Sequence, residues 1–227
     1  MKNIFLAISS LLLVVSGYSQ ELRQVKFSGA TTVSFFSFVT DQGVIINVSE
    51  DGKVLEWGIE MDRRRYNYYP GKLEPYMGRV DYYGLESDSV LRGKIKSIGT
   101  CQLNYYGAFE TKEKIGKLKM IGRNALDYYD SYENLQFKGK LKYAGTVLFS
   151  YYSSFENEAF RGKLKTIANT AITYYSSFDD KLIKGKLKSI GSFKYEWHTS
   201  NASYGYQGGL KSGSFTQNIN GIVYIIM

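Results

Sequence analysis

Residues 139–161 read GKLKYAGTVLFSYYSSFENEAFR and residues 162–184 read GKLKTIANTAITYYSSFDDKLIK, two segments of equal length that align without a gap. The register runs outward in both directions. Gly93, Gly116, Gly139, Gly162 and Gly185 stand 23 residues apart, each followed by Lys, an aliphatic residue and a second Lys. The lysines are Lys94 and Lys96, Lys117 and Lys119, Lys140 and Lys142, Lys163 and Lys165, and Lys186 and Lys188. Tyrosine pairs recur at Tyr105-Tyr106, Tyr128-Tyr129, Tyr151-Tyr152 and Tyr174-Tyr175, and Trp197-His198 occupies the same register in the last clear copy. An aromatic column follows at Phe109, Tyr132, Phe155 and Phe178, and an acidic one at Glu110, Glu133, Glu156 and Asp179. A fixed period of this kind marks a repeat architecture, in which each unit buries its apolar face against its neighbours.

Each copy reads as two strands. The Lys-Leu-Lys segment, for example Lys184 to Ile190, alternates charged and apolar side chains, the pattern of a strand with one wet face. A tight turn follows at Gly99, Gly122, Gly145 and Gly191, with Ala168 in the remaining copy. The Leu-x-Tyr-Tyr segment, for example Ala171 to Phe178, is the second strand and ends in polar turn residues. Two all-β arrangements compete. A β-solenoid would stack the lysines about 5 Å apart, where like charges directly opposite destabilise. An antiparallel meander of β-hairpin repeats separates them by roughly 10 Å and lays a Tyr strand between Lys strands, so that rings cover lysine stems and attract their ammonium groups. The meander, an extended twisted sheet, is the expected fold. With few strong aliphatic positions per copy, the sheet is expected to be single-layered in its middle. The period is similar to that of MORN-type repeats, whose Tyr-x-Gly-x-Trp pattern is absent here, so no residue role is carried over.

The ends of the array are degenerate, as capping copies are. Gly208, Leu210, Lys211 and Ser212 form a partial last copy; Tyr82-Tyr83 fall in register, whereas Gly71-Lys72-Leu73 are displaced by one residue. Residues 1–19 read as a signal peptide: Lys2, an apolar run from Ile4 to Val15, and small residues Gly17 and Ser19 before Gln20. That run is too short to span a bilayer, and no later stretch is long enough. Residues 20–70 form an N-terminal β cap expected to pack on the first repeats, and residues 71–227 form the array. Gly221 to Met227 is apolar, suiting a final strand at the sheet edge rather than the closing strand of an outer-membrane barrel.

Lys+Arg number 29 and Asp+Glu 21, so without Lys2 the mature chain carries 28 − 21 = +7. This charge favours anionic neighbours, and export makes nucleic acid a poor candidate. The lone Cys101 can form no internal disulfide, and no Cys-rich metal site is possible. His198, the only histidine, reads as a diverged second aromatic of its copy rather than a general base. The recurring acids share one environment, unlike the two distinct carboxyls of a glycosidase. No catalytic residue, cofactor or metal is therefore assigned.

The candidate binding surface is the repeated Tyr/Lys face: the tyrosine pairs, Trp197 and the ten lysines named above. The expected function is a secreted or cell-envelope interaction module that binds polysaccharide or another anionic surface component. The alternatives are a structural spacer, in which self-association is possible, and an enzyme.

Overall fold

The computed structural model describes residues 21–61 and 72–227. The segment expected to be a signal peptide, Gly71 and the basic run Arg63-Arg64-Arg65 lie outside the described residues. Among those described there is strand and turn but no helix. The N-terminal segment forms β1 (Glu21–Ser28), β2 (Thr32–Val39), β3 (Val44–Val48), β4 (Val54–Glu60) and β5 (Leu73–Glu74). The repeats follow as β6 (Val80–Tyr82), β7 (Ile95–Ile98), β8 (Cys101–Tyr105), β9 (Leu118–Ile121), β10 (Asn124–Tyr128), β11 (Leu141–Ala144), β12 (Val147–Tyr151), β13 (Leu164–Ile167), β14 (Thr170–Tyr174), β15 (Leu187–Ile190) and β16 (Phe193–Lys194). These make one 11-stranded sheet in which each strand pairs with its neighbours in the chain, the expected antiparallel meander. Equivalent residues of successive copies therefore stand two strands apart, as the charge argument required.

Two connections alternate along this sheet. One end carries two-residue turns, such as Gly99-Thr100 between the paired Ile98 and Cys101. The first turn residue has φ between 54° and 58° at the glycines, and Ala168 adopts 47° in their place. The other end carries long loops, each closed by a pair of backbone bonds such as Tyr106 N to Lys117 O and Gly116 N to Tyr106 O.

The simple alternation read from the Lys-Leu-Lys segment is broken by a bulge. Leu103 pairs with Ile121, Asn104 with Met120 and Tyr105 with Leu118, leaving Lys119 as the extra residue. The bulge turns Leu118 and Ile121, three positions apart, to the same buried face. Leu164 with Ile167 and Leu187 with Ile190 repeat this pattern. On the alternate strands Leu126 with Tyr128 and Ile172 with Tyr174 supply the same face at ordinary two-residue spacing.

That face is not solvated, so the expectation of a single layer in the middle is corrected. A second, 7-stranded sheet packs on it, with β19 (Thr216–Ile219) and β20 (Ile222–Ile226) joining β1 to β5. Buried side chains of both sheets form one core, and the Phe36 and Phe149 ring centroids lie 4.8 Å apart. β3 is buried at every position and brings the apolar surface that the repeats lack. The N-terminal segment also reaches beyond the first repeats. Leu118 N donates to Gly52 O, Leu141 N to Glu50 O and Leu187 N to Ala30 O, so its turns are bonded along most of the array.

The C-terminal strand differs from expectation as well. β20 lies inside the N-terminal sheet, parallel to β1 and antiparallel to β19, which takes the edge. β17 (Glu196–Trp197) and β18 (Leu210–Ser212) pair as the partial last copy. The described sheets do not close into a barrel.

Candidate binding surface

The two tyrosines of each pair do different work. The first belongs to the core: Tyr105, Tyr128, Tyr151, Tyr174 and the equivalent Trp197 are all buried. Tyr128 donates its hydroxyl to Leu118 O at 2.6 Å and Trp197 its indole N–H to Leu187 O at 2.7 Å. The second tyrosine staples copies together. Tyr106, Tyr129, Tyr152 and Tyr175 donate to the carbonyls of Leu126, Phe149, Ile172 and Tyr195 at 2.8 to 2.9 Å. Tyr83 does the same to Leu103 at 3.0 Å. His198 keeps the backbone bonds of this column, Gly208 N to His198 O and His198 N to Gly209 O. It is the diverged aromatic that the register implies.

The lysines divide in the same way. The first of each copy is partly buried, with its Nζ over the ring one strand on: Lys94 over Tyr105, Lys117 over Tyr128, Lys140 over Tyr151, Lys163 over Tyr174 and Lys186 over Trp197, at 4.8 to 5.4 Å. Lys140 and Lys163 also donate to the carbonyls of Gly162 and Gly185 at 2.7 and 2.6 Å, and Lys117 and Lys186 donate to Gly139 and Gly208. Gly185 admits this contact: its φ is +76°, and a Cβ there would stand 2.9 Å from Lys163 Nζ. Burial pushes the Lys163 ammonium pKa down to about 8. Lys140 alone of the five is paired with an acid of the other sheet, Glu50 at 2.9 Å, whose carboxyl burial pushes upward against that pairing.

The second lysines, Lys96, Lys119, Lys142, Lys165 and Lys188, lie 5.0 to 5.9 Å from the centroids of Tyr83, Tyr106, Tyr129, Tyr152 and Tyr175. Three pair with the acidic column, Lys119 with Glu110, Lys142 with Glu133 and Lys165 with Glu156, at 3.6, 2.7 and 3.2 Å. In the next copy Asp179 instead accepts from the Ser176 N–H at 2.6 Å and hydroxyl at 2.8 Å. The Tyr/Lys face is thus a lattice of mutual cation–π contacts and staples, with the second lysines as its accessible charge.

A separate set of side chains is fully accessible. Phe109, Tyr132, Phe155 and Phe178 are each at least 94% exposed, whereas Tyr128 is 1% exposed. They sit at the tips of successive long loops, one per copy. The loops are stacked by a hydrogen-bond ladder. Asn134 Nδ2 donates to Ser154 Oγ at 3.1 Å and Asn157 Nδ2 to Ser177 Oγ at 3.0 Å. Ala108 N donates to Asp88 Oδ2 at 2.8 Å and Ser200 N to Asp180 Oδ1 at 3.1 Å. Three of these rungs grip the residue just before a tip, so Phe109, Phe155 and Phe178 are held by the preceding loop, and the fourth holds Ser200, just before Asn201. The backbone bond from Ala108 holds the Asp88 carboxyl below its ordinary pKa, and the hydroxyl of Ser200 does so for Asp180. Sequence reading used this aromatic column to set the register and left it out of the binding surface. Its exposure has no local signature, because the core tyrosines share its composition and period.

Other groups are placed apart. Cys101 is buried in β8, where desolvation pushes its thiol pKa up to about 11, four copies away from His198. A groove of about 430 Å³ at the tight-turn end is lined by residues such as Asn124, Thr146, Asn169 and Asn220, with Glu21 as its one titratable group. Among the described residues no three His, Cys, Asp or Glu side chains gather where they could hold a metal ion. No family model matches the chain, and no curated protein or solved structure matches it.

Proposed function

We propose that this protein is an exported, non-enzymatic interaction module that binds a polysaccharide or another cell-surface component through its repeat array. The observation that carries this reading is the regular presentation of the same side chains, copy after copy, on a sheet braced by the Tyr staples and by the N-terminal layer. A periodic surface suits a periodic ligand, since each added contact becomes intramolecular once the first has formed. The recurring acids support a non-catalytic role, because three of them make the same ion pair with a lysine. The positive net charge of the chain favours residence at an anionic envelope. The stapling favours one other reading, a rigid spacer with no ligand.

The test is retention of the mature chain on immobilised polysaccharides, neutral and anionic, at low ionic strength where surface electrostatics are strongest. Retention on at least one polymer is expected. Passage through all of them, with self-association independent of any glycan, would leave the spacer. Cell fractionation with detection of the processed chain outside the cytoplasm checks the export half of the proposal.

A further inference from the structure

Within the repeats, buried positions keep their side chains because the core demands it. Exposed positions carry no such demand, and the loops show it. Three residues beyond each tip the side chain varies in size and charge, with Lys112 and Lys181 in the outer two copies but Leu135 and Glu158 in the inner two. The tips themselves remain aromatic in all four copies, although their rings touch solvent rather than core. The acid after each tip also recurs, but three of the four are held in ion pairs with lysines, whereas the rings meet no core; an exposed aromatic side chain that recurs without an internal contact is retained for what it contacts outside the chain. At the two ends of the array Glu86 and Asn201 take the equivalent positions, so the in-register row belongs to the inner copies, and the last loop presents Tyr204 and Tyr206 out of that register.

The geometry selects the occupant. One ring per hairpin gives a spacing of roughly 10 Å, twice the strand separation, and a row of roughly 30 Å. Isolated rings at such intervals do not form the contiguous apolar patch that a protein partner buries. A bilayer is disfavoured because each ring is followed directly by an acid, Glu110, Glu133, Glu156 or Asp179, which insertion would have to dehydrate. The loops carry nearly balanced charge: residues 107–115 hold two acids and two lysines, and residues 176–184 hold two acids and two lysines. An anionic polymer therefore gains little at the tips themselves. The apolar C–H face of a sugar ring, faintly positive, meets the negative face of an aromatic ring, and the acid after each tip, with a Ser before Tyr132, Phe155 and Phe178, suits hydroxyls. The spacing is comparable to one disaccharide of an extended chain.

We infer that Phe109, Tyr132, Phe155 and Phe178 form a track for an extended, uncharged polysaccharide, one ring stacking on every disaccharide-length stretch. This inference rests on the proposed polysaccharide-binding function and adds to it the site and the charge class of the ligand. The loop ladder pre-organises Phe109, Phe155 and Phe178, which limits the ordering loss on binding.

The experiment uses the mature full-length chain with cellulose, chitin and soluble β-glucan as neutral probes, heparin as the anionic probe, and phosphatidylcholine/phosphatidylglycerol vesicles. One variant carries Phe109→Ser, Tyr132→Ser, Phe155→Ser and Phe178→Ser; a second carries Lys96→Gln, Lys119→Gln, Lys165→Gln and Lys188→Gln; a third, Phe155→Tyr, preserves the stacking face. Near-ultraviolet circular dichroism and thermal unfolding verify that each is folded, which the exposure of the rings makes the expected result. Binding to at least one neutral glycan is expected, weakened roughly fivefold or more for each ring removed. The serine variant should lose far more neutral-glycan binding than the lysine variant, Phe155→Tyr should lose less than removal of a ring, and affinity for soluble oligosaccharides should rise with length until the row is spanned. Unchanged neutral binding in the serine variant overturns the inference and leaves the proposed function standing. So does binding to heparin alone that the lysine variant abolishes. Vesicle binding or self-association that depends on the rings, with no glycan retained, overturns both.

Discussion

Replacing Phe149 by alanine tests whether the repeats form one layer or two. Phe149 lies in β12, wholly buried, with its ring centroid 4.8 Å from that of Phe36 in the facing sheet. Truncating a buried phenylalanine in a packed core costs about 3–5 kcal/mol, through lost transfer energy and the cavity left behind. For a domain of this size each kcal/mol corresponds to about 2–4 °C, so the melting temperature should fall by about 6–20 °C. Phe36→Ala should act similarly, and the double variant should fall short of the sum by about 0.5–1.5 kcal/mol, the part belonging to the ring pair. Leu148→Ala, one residue away on the open face and 53% exposed, should change stability by less than about 0.5 kcal/mol. Denaturant unfolding of the four proteins, fitted with a common slope, measures the cycle. Strict additivity, or a Phe149→Ala loss no greater than that of Leu148→Ala, would refute the second layer and with it the account of where the core lies.

Four further expectations follow from the same geometry. Tyr152→Phe removes one staple, the bond to Ile172 O, and should lower stability by about 0.5–1.5 kcal/mol, read from the denaturant midpoint. Ala168→Gly relieves a positive φ of 47° and should raise the melting temperature, by up to about 1 kcal/mol of added stability after the greater freedom of glycine in the unfolded chain is counted. Burial raises the phenol pKa values of Tyr128, Tyr151 and Tyr174, and that of Tyr195 to about 12, above the ordinary value of 10.0. Their folded forms hold protons that the unfolded chain releases, so this stability is intact below pH 10.0 and is lost as pH rises toward about 12; the part of the phenolate absorbance that belongs to these four buried tyrosines should appear together with unfolding rather than ahead of it. Cys101, buried and with its thiol pushed up to about 11, should react with a thiol reagent at pH 8 far more slowly in the native protein than in denaturant.

The candidate site was legible to a different depth in each column. The Gly-Lys-Leu-Lys and Tyr-Tyr columns announce strands by composition, and the mutual approach of lysine and tyrosine followed from placing one strand between two others. Which tyrosine of each pair enters the core does not follow from adjacency, since Tyr128 and Tyr129 are chemically identical; the backbone direction of the strand decides it. The bulge at Lys119 was hidden for the same reason: Leu118 and Ile121 read as opposite faces until the register shift turns both inward.

Local spacing alone determined that this chain is an antiparallel β array, because a constant period combined with alternation along each strand leaves few other ways to pair the backbone and keep the lysines apart. Tertiary structure decided what covers that array and what remains bare. The strands of the N-terminal segment bury one face, the stacked loops hold four aromatic rings in solvent, and both outcomes depend on contacts between residues distant in the chain, for which a single repeat carries no signal.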